Sequence, residues 1–147
     1  MLTDVEFLSK SQAEQLVVGS DVLFVSIRAP GERVSLKPGH RDVITLEFDD
    51  WDPQRDGMGA RRIVTPFSNV LAKKLKTWLG AYANAPERYR VLVHCQAGMS
   101  RSAAVAWWVH VTHGAILKTT TTTAYMNRFV LKILNSAIAA PDFPSDT

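Results

Sequence analysis

The chain reads as an α/β protein in which a central, mostly parallel sheet of four to five strands is flanked by helices. Three observations carry that expectation. Apolar, β-branched runs such as Val22-Leu23-Phe24-Val25-Ser26-Ile27 and Arg90-Val91-Leu92-Val93 have the length and composition of interior strands. Segments of helical periodicity lie between such runs, and strands alternating with helices are the pattern of a parallel sheet. The run ending at Val93 also passes through a glycine-containing loop into the helix-like stretch Ala103-Ala104-Val105-Ala106-Trp107-Trp108-Val109. A loop at such a strand-to-helix junction occupies the usual ligand position of an open α/β sheet.

In chain order, Val5-Glu6-Phe7-Leu8 predicts a short strand, and Ser11-Gln12-Ala13-Glu14 has capping-box spacing for a short helix reaching Val18. Gly19-Ser20 ends it. Residues 21–28 form a central strand, broken by Ala29-Pro30-Gly31 and placed beside the strand that leads into Cys95. Residues 32–41, with Pro38-Gly39, read as a loop. Val43-Ile44-Thr45-Leu46-Glu47-Phe48 follows as the partner strand and runs into an acidic cluster of Asp49, Asp50 and Asp52. From Gln54 to Pro66 the chain is irregular and carries Arg55, Gly57, Gly59, Arg61 and Arg62, a connection long enough to be functional or mobile.

Ser68 is placed to cap a helix whose apolar stripe is Leu71, Leu75, Trp78 and Tyr82, leaving Lys73, Lys74 and Lys76 on its solvated face, and Pro86 closes the element. The helix after Arg101 carries Val105, Trp108, Val109 and Thr112 inward, with Trp107 and Trp108 read as core. The threonine run at 119–123 reads as a loop supplying the cap of a final helix, residues 124–139, with Phe129, Ile133 and Leu134 inward. The tail, residues 141–147, is expected to fray. No internal repeat is visible, and residues 1–147 read as one domain.

Bulk properties narrow the function classes. A chain of 147 residues, 46% hydrophobic and 21% charged, has the make-up of a soluble globular domain. A net charge of +3 suits an anionic substrate and is too weak to argue for nucleic acid. A single cysteine excludes an internal disulfide and fits a reducing compartment. No stretch resembles a signal peptide or is apolar enough to span a bilayer, so a cytoplasmic protein is expected. His40, His94, His110 and His113 have no metal-ligand spacing with one another or with Cys95, and no metal or other cofactor is expected. His110 and His113 share a helix end, where they complement the dipole. The oligomeric state is not legible.

The chemistry concentrates in His94-Cys95-Gln96-Ala97-Gly98-Met99-Ser100-Arg101-Ser102. Gly98 can take positive φ, which turns successive N–H groups inward, and the residues from Ser100 open a helix with unpaired N–H groups. Such a ring of donors, contributed by Gln96, Ala97, Gly98, Met99, Ser100 and Arg101, binds a phosphate dianion. At its base, beside a helix N-terminus, Cys95 is favoured as thiolate, the nucleophilic form. The planar fork of Arg101 matches two phosphate oxygens in a way a lysine does not. Ser102 is placed to donate a hydrogen bond to the sulfur. His94 is expected to hold the cysteine through backbone hydrogen bonds.

His94-Cys95, five residues, then Arg101-Ser102 resembles the signature of the cysteine-dependent protein tyrosine phosphatases, and Ala97-Gly98-x-Ser100-Arg101-Ser102 resembles their dual-specificity branch, in particular its small bacterial or phage-like members. The resemblance covers the core from Val22 to Leu134 and is specific from Cys95 to Ser102. It implies hydrolysis of phosphate monoesters through a phosphocysteine, without a metal, and a phosphorylated protein or peptide as partner. It also implies an aspartate, on a loop after a neighbouring strand, that protonates the leaving oxygen. Within the acidic cluster the strand-then-aspartate pattern of the family favours Asp50, ahead of Asp49 and then Asp52. The separation from Cys95 exceeds that of compact dual-specificity enzymes, and the arginine-glycine connection accounts for the excess. Asn127-Arg128-Phe129-Val130-Leu131 resembles the asparagine-containing helix start that braces the loop in related phosphatases. Two other readings remain open at this point: the same chemistry on a phosphoinositide, nucleotide or RNA 5′-phosphate, and a phosphate-binding module without turnover.

Overall fold

The computed structural model describes residues 1–59, 63–119 and 121–136. Five strands, β1 (Leu2–Ser9), β2 (Val22–Arg28), β3 (Asp42–Glu47), β4 (Tyr89–Cys95) and β5 (Ile116–Leu117), form one sheet in the order β3-β2-β4-β1-β5. Every pairing is parallel. The expected α/β class is thus observed, with the sheet wholly rather than mostly parallel. β4 is central: it pairs with β2, as the sequence suggests, and on its other side with β1, which brings Ser9 opposite Cys95.

Alternation along these strands divides the core between two faces. Val5, Phe7, Val25, Val93 and Cys95 face one cluster, and Leu8, Phe24 and Leu92 face the other. The first face is covered by α3 (Asn69–Ala83), α4 (Arg101–His113) and α5 (Arg128–Ser136), and the second by α1 (Lys10–Gln15). A single further turn, α2 (Pro53–Asp56), interrupts the connection read as irregular and is capped by Asp52, whose Oδ1 accepts from the Gln54 N–H at 3.0 Å.

Several boundaries differ from the expected ones, each for a local reason. The capping box of α1 is Ser9 with Gln12, not Ser11 with Glu14, so the helix starts directly off β1 and ends at Gln15. This phase turns Ala13 into the core. Ser68 does cap α3, but its buried stripe is Ala72, Leu75 and Leu79. Trp78 and Tyr82 sit at the margin because their polar ends both donate to the Asp42 carboxylate at the head of β3, the wet-end placement these rings favour. Lys76 is not solvated like its neighbours: its Nζ is buried without a hydrogen bond, 5.8 Å from the Trp108 ring centroid, and desolvation lowers its pKa.

In α4, Trp108 is buried and Trp107 half-buried, while Thr112 is exposed rather than inward. His110 donates from Nδ1 to the Ala115 carbonyl at 2.7 Å as the helix closes on Gly114. His113 meets the Trp108 ring edge-on, and burial disfavours its charged form, which weakens its part in a dipole contact. The last helix begins at Arg128, and its cap comes from Asn127, whose Oδ1 accepts from the Val130 N–H at 3.0 Å, not from the threonine run. Val130 and Leu134 are buried, with Phe129 and Ile133 packed beside them. The proposed end of that helix at 137–139, the tail at 141–147, Arg61 and Arg62 lie outside the described residues.

Candidate active site

β4 delivers Cys95 to the carboxyl edge of the sheet, and after five intervening residues α4 starts at Arg101. Between them Gly98 has φ +70°, and a Cβ there would be driven into the backbone of Leu8 and Ser9, 2.8 Å from the Leu8 carbonyl oxygen and closer to its neighbours. Only glycine lets the loop fold down against the end of β1. Two of the loop carbonyls are taken up by neighbouring backbone: Gln96 accepts from the Lys10 N–H at 3.3 Å, and Ser100 from the Asn127 and Ala104 N–H groups, both at 3.1 Å. In contrast, the backbone N–H groups of Ala97 through Arg101 find no acceptor among the described residues. No side chain caps α4 either, since the Ser100 hydroxyl donates instead to Asp50 Oδ1 at 2.8 Å.

Gly98→Ala is therefore expected to destabilise the protein by about 3 kcal/mol, combining positive-φ strain with a backbone clash, which corresponds to roughly 10 °C in Tm. Gly31 provides the control, with φ +82° but nothing within 4 Å of its Cβ position. Thermal melts of the two alanine variants separate the effects: Gly31→Ala should lose only about 1 kcal/mol. Equal losses would show that the close approach at Gly98 contributes nothing.

Cys95 is buried at the base of the loop. Its thiol donates to Ser102 Oγ at 3.1 Å, and the Ser102 N–H donates back to sulfur at 3.4 Å. On ionisation the hydroxyl can reverse and donate to the thiolate. Arg101 is 7% exposed; its Nη1 donates to the Phe48 carbonyl at 2.9 Å, while Nε is buried with no hydrogen-bond partner. That anchor ties the start of α4 to the end of β3, the segment that leads straight into the acidic cluster.

The three aspartates have different work. Asp49 Oδ2 accepts from the Thr65 N–H at 2.7 Å and fixes the returning leg of the connection. Asp52 caps α2. Asp50 alone meets the cysteine loop: Oδ1 accepts from Ser100 Oγ and Asn127 Nδ2, each at 2.8 Å, and from Arg55 Nη2 at 3.2 Å. Among the described residues its Oδ2 has no hydrogen bond. Asn127 also donates to the Trp51 carbonyl at 3.1 Å, so the residue before α5 binds both the cysteine loop and the acidic segment.

Behind the cysteine, His94 is fully buried against the Cys95 backbone, and it makes a side-chain contact as well: Nε2 lies 2.6 Å from Ser26 Oγ, which in turn accepts from Arg28 Nε at 3.0 Å. Ser26 thus joins the imidazole to the Arg28 guanidinium. Ser26 was not singled out in the sequence, although it is the one polar residue inside an apolar strand. No family model, curated protein or solved structure matches the chain. Among the described residues, no three His, Cys, Asp or Glu side chains gather as a metal site.

Burial pushes the His94 pKa down to about 4. Its folded value thus lies below the unfolded 6.5, the unfolded chain binds the extra proton between those limits, and stability falls as pH drops through that window. Urea midpoints measured between pH 7 and 4 should show a loss on the order of 3 kcal/mol in the native protein relative to His94→Gln. Parallel pH profiles for the two proteins would refute a neutral buried imidazole.

Proposed function

We propose that this protein is a phosphatase that hydrolyses phosphate monoesters on tyrosine, and on serine or threonine, of cytoplasmic proteins through a phosphocysteine intermediate. The observation that carries the reading is a set of unpaired donors, the N–H groups from Ala97 to Arg101 and the buried Nε of Arg101, arranged around the loop whose base is the only cysteine. Preorganised donors of this kind stabilise charge on transferring phosphoryl oxygens, so the reaction as proposed does not require a metal. The uncharged Gln96 and Ala97, both exposed at the rim, suit a protein ester better than a polyanionic lipid headgroup.

Each residue then has one role. Cys95 attacks phosphorus as thiolate, forming the S–P bond as the ester P–O bond breaks. Arg101 grips two equatorial oxygens. Asp50 gives its proton, carried on the unbonded Oδ2, to the departing alkoxide or phenoxide. Once a carboxylate, it takes a proton from water, whose oxygen attacks the phosphocysteine. Ser102 holds the sulfur as nucleophile and again as leaving group. A reducing cytoplasm keeps the single thiol in its working form.

The test is hydrolysis of a small aryl phosphate by reduced protein in excess chelator, with an acid quench to catch the phosphoryl adduct on the peptide containing Cys95. Turnover with that adduct is expected, and Asp50→Asn should lower kcat by about 100-fold, the usual share of one general acid. Well-folded protein that binds phosphate without turning over the ester would leave a binding module instead.

A further inference from the structure

Arg55 has no part in the reaction above, yet its guanidinium stands at the edge of the cysteine loop. Its Nε and Nη2 fork onto the two oxygens of Asp56 at 2.9 and 2.7 Å, which fixes the plane of the group and reinforces its charge. The same Nη2 reaches the Asp50 carbonyl at 2.9 Å and Asp50 Oδ1 at 3.2 Å. Nη1 differs: among the described residues its one hydrogen-bond contact is Ser100 Oγ at 3.4 Å, at the long limit for a hydrogen bond. The side chain is 42% exposed. A fixed cation thus presents a nearly uncommitted donor edge to solvent, next to a residue of the loop proposed to hold the scissile phosphate.

We propose that Arg55 is a specificity residue that receives a second anionic group of a phosphopeptide, a carboxylate or another phosphate flanking the scissile one. The inference rests on the phosphatase reading. It also couples recognition to chemistry. Asp50 contacts Arg55 from α2, Ser100 from the cysteine loop and Asn127 ahead of α5, and of these only Arg55 is charged. An anion bound at Nη1 competes with Asp50 Oδ1 for the same guanidinium, which changes where the carboxyl is held. Arg55 then acts through Asp50 as a positioning residue, and a flanking anion raises kcat as well as lowering KM.

The experiment compares three phosphotyrosine peptides of one length, with neutral, acidic or phosphoserine flanks, using native protein, Arg55→Gln and Arg55→Lys. Native protein should favour at least one anionic peptide over the neutral one by about 5-fold in kcat/KM, the worth of a good exposed ion pair, with part of the gain in kcat. The two anionic arms tell a carboxylate from a second phosphate. Arg55→Gln should bring the ratio to near one and Arg55→Lys should restore part of it, whereas a residue that merely props the loop would change all three peptides alike. A preference that survives Arg55→Gln, or native protein that turns over all three equally, overturns the inference while leaving the phosphatase reading intact. Absence of turnover on every peptide removes both.

Discussion

Cys95→Ser is expected to reduce phosphate ester hydrolysis at least 10⁴-fold, on the order of what losing a covalent nucleophile costs, while leaving phosphate binding within a few-fold of native. The two halves of this expectation have separate physical origins. Turnover is lost because a serine hydroxyl at this position stays protonated at neutral pH, and among the described residues the side chain that hydrogen-bonds there is Ser102, which is no base. The neighbouring imidazole, His94, turns its Nε2 toward Ser26. Binding survives because the donors from Ala97 to Arg101 belong to the backbone and to Arg101, and the loop is held by Gly98 against β1 rather than by the sulfur. Steady-state kinetics on an aryl phosphate, with titration of a phosphotyrosine peptide by calorimetry, reads both. Because the chain has one cysteine, alkylation at Cys95 and its protection by inorganic phosphate can be followed by intact mass. Substantial turnover by the serine variant would end the thiolate mechanism.

Arg101→Lys should cost about 10³-fold in kcat/KM, in the range seen when a fixed donor to a developing phosphoryl charge is withdrawn. Charge is conserved in this substitution, so the loss measures geometry. One arm of the native guanidinium is committed to the Phe48 carbonyl at 2.9 Å, which sets the plane of the fork, while Nε is buried with no hydrogen-bond partner. A lysine has a single nitrogen: satisfying Phe48 takes it from the substrate, and serving the substrate leaves the carbonyl unpaired. The Phe48 anchor also holds the strand end before Asp49 and Asp50, so part of the defect should appear as poorer leaving-group protonation. Aryl phosphates with more acidic leaving groups should recover some of the rate. A loss under 10-fold across the series would show that no bidentate grip exists.

Much of the architecture was legible because it rests on local pattern. The β-branched runs of β2 and β4 are apolar enough to be buried on both faces, and Ser68 caps α3 where its spacing indicates. Gly98 could be singled out for positive φ, and its φ of +70° bears that out. What escaped was set by partners distant in sequence. Trp78 and Tyr82 look inward by spacing alone, and only the arrival of Asp42 holds them at the margin. Lys76 is drawn over a tryptophan on another helix, which periodicity within α3 cannot encode. The serine at 11 offered as good a capping box as the one at 9, and the choice fell to whichever phase buries Ala13.

The site was partly legible in the same sense. The resembled family's strand-then-aspartate pattern ranks Asp50 above Asp49 and Asp52, and the structure separates them by occupation: one is tied to Thr65, one caps a turn, and Asp50 meets Ser100. Asn127 was noticed as a helix start, but its two-sided bracing of Ser100 and Asp50 follows only from the fold. Ser26 and Arg28 behind His94 carried one signal, a serine inside an apolar strand, whose meaning depended on which residue of β4 lies opposite.

The pairing of β1 with β4 has a kinetic consequence. Leu8 and Ser9 form the floor on which Gly98 rests, and they come to Cys95 and its loop only after the whole intervening chain has closed. Contacts of such long range are slow to form and arrive together with the rest of a parallel sheet. The surroundings of Cys95 therefore depend on long-range pairing, not on local structure alone. A newly made or transiently opened chain lacks the floor beneath Gly98, so the geometry around Cys95 exists only in the native state.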